Sequence, residues 1–158
     1  MKYCSFDDMD NNLHFSSSKQ DWETPQDLFN ELNKEFHFEI DVAATRENSK
    51  CKMFFTENDN ALVKNWSDYG NVFCNPPYDS KLQNEFIKKA YEESLKNKAV
   101  IVLLIPARTD TKRWHKYIFP YASDIRFLEG RLKFETQGIP HENSAPFPSA
   151  IVVFGSKI

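Results

Sequence analysis

"AVIVLLIPA", residues 99–107, is an unbroken apolar run of strand length. A half-buried strand would alternate with polar residues, so a run like this fits a parallel sheet covered on both faces. What lies on either side decides whether such a sheet can be built.

Upstream, Leu82, Phe86 and Ala90 mark a helix from about Ser80 to Asn97 that leads directly into the run. Before that helix, Val72 to Cys74 reads as another strand, and "FHFEIDVAA", 36–44, alternates apolar and polar residues as a strand ending at Asp41 or Val42. Between them, Thr45 to Trp66 is polar with short apolar islands, which predicts a short strand and long loops. A helix from Pro25 to about Glu35 is predicted by Leu28, Leu32 and Phe36, with Thr24 as N-cap, Pro25 at the first helical position and Asp27 in the first turn. Downstream, Trp114 and Ile118 suggest a helix over 111–119, Asp124 to Leu128 a strand, Gly130 a turn, and Leu132 to Phe134 its continuation. The proline-containing stretch 138–148 reads as a loop and Ala150 to Phe154 as a closing β-branched strand. Alternating strands and helices with a hairpin-like ending predict an α/β sandwich around a mostly parallel sheet.

The chain has 158 residues, a length that suits one domain. Residues 1–20 are polar and acidic and read as a loose tail ahead of a folded unit over 21–158. With 41% apolar and 15% aromatic residues, a folded chain is expected rather than a disordered one. Three cysteines without a CxxC spacing favour reduced thiols in the cytoplasm over disulfides or zinc. The histidines at 14, 37, 115 and 141 have no ligand-like spacing, so no metal is expected. No apolar run reaches membrane-span length, and Asp7, Asp8 and Asp10 do not suit a signal peptide. Net charge is −3, unevenly spread: residues 1–60 hold 6 Lys/Arg against 13 Asp/Glu, and residues 106–141 hold 7 against 4. A locally basic C-terminal third can hold a polyanion on one face.

The chemistry-bearing stretch is "VFCNPPYDS", 72–80. Pro76 and Pro77 stiffen the exit from a strand and leave their carbonyls free. An exocyclic amine is a poor nucleophile because its lone pair is delocalised into the ring. Two neutral acceptors, the Asn75 side-chain oxygen and the Pro76 carbonyl, can bias it toward a tetrahedral, nucleophilic form, while Tyr78 stacks on the base. Asn-Pro and Pro-Pro are also ordinary turn dipeptides, and the placement at a strand end is what favours the catalytic reading.

NPPY after a strand resembles motif IV of amino-methyltransferases, which methylate adenine N6, cytosine N4 or a glutamine amide with S-adenosylmethionine. Together with "DWETPQDLFNEL", "IDVAAT", "ENDNAL", "LLIPARTDT", "LEGRLKF" and "APFPSAIVVF", it is similar to the phage-type Dam-like DNA N6-adenine methyltransferase family from about Asp21 to Phe154. The resemblance implies a Rossmann-like methyltransferase sandwich with a terminal antiparallel hairpin. It implies S-adenosylmethionine as cosubstrate, double-stranded DNA as partner and the cytoplasm of a bacterial host as location. It also implies shielding of phage DNA from restriction.

By position, the resemblance implies that Glu23, Thr24 and Pro25 face the methionine end of the cofactor and that Trp22 packs over it. Asp41 and Ala43 fall at the cofactor motif, where "DVAATREN" lacks the usual glycines, and Asp59 falls where a carboxylate accepts from the cofactor's adenine amine. Asn75, Pro76, Pro77 and Tyr78 would hold the flipped adenine, with Phe134 helping to grip it. Arg108, Lys112, Arg113, Lys116, Arg131 and Lys133 are candidates for phosphate contacts. The same acceptor pair serves cytosine N4, RNA or a glutamine amide. The missing glycines and small size also leave open a binding or decoy protein that kept the fold without the catalysis.

Overall fold

The computed structural model describes residues 22–156, so the sequence-predicted tail over 1–20 lies outside the described residues. Helix α1 (Gln26–Phe36) leads to strand β1 (Ile40–Asp41). A loop then reaches β2 (Met53–Phe54), and three short 3-10 turns lead to β3 (Val72–Cys74). Helix α2 (Ser80–Ser94) connects β3 to β4 (Ile101–Pro106). After a π-helical turn (Trp114–Ile118) and one α turn (Phe119–Tyr121) come β5 (Asp124–Phe127), β6 (Glu135–Thr136), β7 (Ile139–Pro140) and β8 (Ser149–Phe154).

Six strands form one sheet in the order β2-β1-β3-β4-β8-β5. β1 to β4 pair in parallel, and β8 runs antiparallel between β4 and β5. The expected mixed α/β architecture with a mostly parallel sheet is therefore observed. The hairpin is a separate two-stranded sheet of β6 and β7. Leu132 to Phe134 does not continue β5, and the chain becomes a strand only at Glu135.

The apolar run over 99–107 explains the layering. Ile101, Leu103 and Ile105 point to one core with Phe86, Ile87 and Ala90 of α2, Trp66 and Trp114. Val100, Val102 and Leu104 join the other with Phe29, Leu32 and Phe36 of α1, Phe134 and Phe147. With every residue of β4 buried, alternation has no solvent face to produce.

Three local features depart from sequence propensity. Helix α1 begins after Pro25, and no side-chain cap comes from Thr24. The Gln26 N–H instead donates to Glu135 Oε2 at 3.1 Å, a cap supplied from 109 residues away. Over 114–118 the chain takes the wider π form, with the Phe119 N–H on the Trp114 carbonyl. Pro120 supplies the reason, because in an α-helix its ring would strike the carbonyl four residues back. Gly70 sits at φ 114°, and a Cβ there would meet Glu39 Cγ at 2.6 Å, so only glycine fits without a shift.

Candidate active site

β2 lies on one side of β1 and β3 on the other, so the strand order reverses at β1/β3, where ligands of open α/β sheets bind. A cavity of about 770 Å³ opens at the carboxyl ends of these strands. Its wall includes Trp22, Glu23, Thr24, Asp41, Ala43, Glu57, Asn75, Pro76, Pro77, Tyr78 and Gln137. That volume lies within the range of small-molecule and cofactor sites.

Asn75 leaves β3 as its polar end. Its Nδ2 donates to the Trp22 carbonyl at 2.8 Å and to Thr24 Oγ1 at 3.0 Å, while its Oδ1 is buried with no partner among the described residues. Leaving such an acceptor unmet costs about 1–3 kcal/mol, so a donor brought there gains a vacant partner. The two prolines carry the chain to Asp79, whose carboxylate caps α2 through the Leu82 N–H at 3.0 Å, and Gln83 Nε2 donates to the Pro77 carbonyl at 3.3 Å. Helix α2 thus fixes the far end of the NPPY turn.

Tyr78 stacks on Trp22, with ring centroids 6.0 Å apart and planes 19° from parallel. Phe134 and Phe147 close the aromatic cluster around both rings. The Tyr78 hydroxyl is buried without a partner among the described residues, and burial pushes its pKa up, which keeps the phenol neutral.

Asp41 organises the loop that lacks glycines. Its carboxylate accepts from Ala43 N at 3.3 Å and Lys50 N at 3.1 Å, and the turn closes through Thr45 and Asn48, each accepting the other's backbone N–H on its side chain. Burial raises the Asp41 pKa to about 6 against the lowering effect of those N–H groups. A folded pKa above the unfolded value of 3.8 means that this group's contribution is fully present below pH 4 and is lost as pH rises through 6. At about 1.4 kcal/mol per unit, the loss approaches roughly 3 kcal/mol. Urea denaturation should show Asp41→Asn flattening this decline between pH 4 and 7, and an unchanged slope would contradict it.

The segment before α1 is held from the other end of the chain. Glu23 and Glu135 exchange backbone hydrogen bonds at 3.1 and 3.0 Å, and the Glu135 side chain reaches Lys50 Nζ at 3.9 Å. Lys50 Nζ also donates to Gln26 Oε1 at 2.8 Å.

The sequence model of the DNA N-6-adenine-methyltransferase (Dam) family matches residues 12–157. The chain belongs to the Dam family. It is 30% identical over 124 residues to a DNA N-6-adenine-methyltransferase of Escherichia phage T1, covering 78% of this chain and 50% of that one. It is 29% identical over 149 residues to one of Haemophilus phage HP1 (strain HP1c1), covering 89% and 82%. The chain thus spans half the length of the phage T1 relative.

Of the residues the Dam resemblance singled out, Trp22, Glu23, Thr24, Asp41, Ala43 and the NPPY turn come together on one cavity. Pro25 does not line it, and neither does Asp59. Its Oδ2 instead accepts from Thr56 N at 2.8 Å and Thr56 Oγ1 at 3.1 Å, closing a 3-10 turn, while Glu57 faces the cavity. Phe134 is fully buried in the aromatic cluster. Arg113 is turned inward, with Nη1 on Asn84 Oδ1 at 3.0 Å and Ser80 Oγ at 3.3 Å, and burial lowers its pKa. Arg108, Lys112, Lys116, Arg131 and Lys133 are exposed, with the Arg108 guanidinium 5.5 Å over the Phe147 ring. Glu135, Lys50, Glu57 and Gln137 were missed by sequence reasoning. Only Gln137 carries a local signal, since it sits beside Gly138 where a two-residue hairpin turn needs positive φ at both positions.

Proposed function

We propose that the chain methylates the N6 amine of adenine in double-stranded DNA, with S-adenosylmethionine as the methyl donor. The observation that carries this reading is the buried Asn75 Oδ1, a neutral acceptor without a partner among the described residues, at the end of β3 and next to the Pro76 carbonyl. An adenine amine turned out of the duplex would offer two N–H groups to these two acceptors, and both pulls favour the tetrahedral nitrogen that a methyl acceptor must become. Tyr78 and the aromatic rings around it supply the stacking surface for the base. Neither acceptor titrates, so the pull on the amine does not depend on pH.

The cavity fits the cosubstrate by size and by charge. Glu23, Asp41, Glu47 and Glu57 bring four carboxyl groups to its wall against the single ammonium of Lys50, suited to a ligand with a cationic sulfonium, an ammonium, ribose hydroxyls and an adenine amine. In this reading the amine-accepting role assigned to Asp59 passes to Glu57. S-adenosylmethionine, when bound, supplies an electrophilic methyl group. The exposed lysines and arginines between 108 and 133 would meet phosphates and position the duplex without reading its sequence.

The test is incubation of the protein with methyl-labelled S-adenosylmethionine and unmethylated duplex DNA, followed by nucleoside analysis. Label is expected in N6-methyladenine. Label in N4-methylcytosine, or in RNA or protein amides only, would overturn the substrate. Absence of cofactor binding by calorimetry would overturn the whole reading.

A further inference from the structure

We infer that Thr24, through its hydroxyl, is a positioning residue that orients the Asn75 amide, and that this arrangement makes asparagine rather than aspartate the residue required at that position. The inference rests on the reading above, in which Asn75 Oδ1 accepts from the substrate amine.

An asparagine amide presents an oxygen and a nitrogen of nearly equal size, and rotation by half a turn exchanges them. A site that needs the oxygen must therefore hold the nitrogen elsewhere. Here both Nδ2 hydrogens are spent, one on the Trp22 carbonyl at 2.8 Å and one on Thr24 Oγ1 at 3.0 Å. The Trp22 carbonyl is only an acceptor, so the flipped amide would set oxygen against oxygen there. Thr24 is 4% exposed, so water does not readily replace its hydroxyl. The segment that carries both partners is clamped by the Glu23–Glu135 backbone pair and by the Glu135 cap on α1. Among the described residues, Oδ1 is left as an acceptor without a partner as a result.

In Asn75→Asp, a carboxylate oxygen would face the Trp22 carbonyl, a repulsion that only protonation relieves. Once protonated, the new carboxyl group donates to that carbonyl and keeps its other oxygen as an acceptor. The substituted protein should therefore gain activity as pH falls, whereas asparagine needs no proton. The titratable groups on the cavity wall, Glu23, Asp41, Glu47, Lys50, Glu57 and Tyr78, are present in both proteins, so the wild-type profile is the reference for their part, and an Asp41→Asn background separates the new carboxyl from Asp41. His141, with its ring 5.7 Å from Trp22, is likewise present in both.

The experiment measures single-turnover methyl transfer and cofactor affinity for wild type, Thr24→Val, Thr24→Ser and Asn75→Asp between pH 5.5 and 8.5. Thr24→Val is expected to lower the methyl-transfer rate at saturating cofactor by about 10–100-fold with cofactor Kd within about threefold, an effect of the size a mispositioned group produces. Thr24→Ser should recover most of the rate. For Asn75→Asp, activity relative to wild type should rise at least about tenfold as pH falls across the range, following the fraction of protonated carboxyl. A Thr24→Val protein with unchanged rate and weakened cofactor binding would overturn the inference and assign the hydroxyl to the cofactor. A flat ratio for Asn75→Asp would overturn it as well, and does so even if Thr24→Val fails to fold. Wild type that transfers no methyl to adenine would instead refute the proposed function.

Discussion

Replacing Asn75 with alanine is expected to reduce methyl transfer by about a thousandfold or more, while cofactor affinity stays within a few-fold of wild type. The magnitude follows from losing a preorganised polar contact at the atom where charge develops, which elsewhere removes about two to three powers of ten in turnover. Here the loss is larger because two effects coincide. The acceptor Oδ1 disappears, and the Trp22 carbonyl and Thr24 hydroxyl lose the donor that holds their segment against the end of β3. The second effect should appear as about 1–3 kcal/mol of stability, the penalty for buried polar groups left unmet. Single-turnover kinetics, cofactor calorimetry and thermal unfolding separate the two. An alanine protein that turns over at wild-type rate would remove Asn75 from the chemistry and with it the main support for amine activation.

The second large effect concerns folding. Glu93 is 1% exposed and its Oε1 accepts from Trp66 N, Ser67 N and Ser67 Oγ at 3.1, 2.9 and 2.9 Å. Its Oε2 pairs with Lys89 at 3.2 Å and Lys96 at 2.9 Å. Burial alone would raise the pKa of this carboxyl; Lys96 and the N–H groups of Ser67 and Trp66 outweigh it and bring the pKa down to about 2. Glu93→Ala strands two buried N–H groups and is expected to cost about 3–5 kcal/mol, as removal of one partner of a buried charged network does. In a chain of this size that lowers Tm by roughly 10 °C or more. Because the folded pKa lies below the unfolded value of 4.5, the stabilisation is present above that pH and is lost as pH falls toward 2. Its sign is opposite to that of Asp41, and the two act in adjacent windows. Glu93→Ala should therefore lose more stability relative to wild type at pH 7 than at pH 3, and an equal loss at both would show that the Glu93 carboxylate is not what fixes the Trp66 turn.

The sheet was legible where strands are covered on both faces. β3, β4 and β8 read as apolar runs, and their predicted bounds agree with the observed ones within two residues. β6 and β7 were not legible, because two-residue strands contain too little pattern and their pairing is set by the Gln137–Gly138 turn. Thr24 has the chemistry of an N-cap, and nothing local shows that Glu135 takes that task while the Thr24 hydroxyl turns to Asn75. The NPPY turn and Asp41 could be placed together because both sit at strand ends, a property of topology that order along the chain reveals. Asp59 and Glu57 differ by two residues in a tight turn, and only the direction of the turn decides which faces the cavity. Arg113 illustrates the limit of reading charge as surface, since its neighbours Lys112 and Lys116 are exposed and it is not.

β8 lies between β4 and β5, and this sets the order in which a ribosome can complete the sheet. β4 ends at Pro106, whereas its antiparallel neighbour begins at Ser149, and among the described residues β5 pairs with no other strand in that sheet. At about 5–20 residues per second, the nascent chain carries an apolar strand with one open edge for roughly 2–9 s before β8 emerges to cover it. During that interval β5 has nothing to join. The open edge of β4 is then a template for any extended segment nearby until residues 149–154 arrive to cover it.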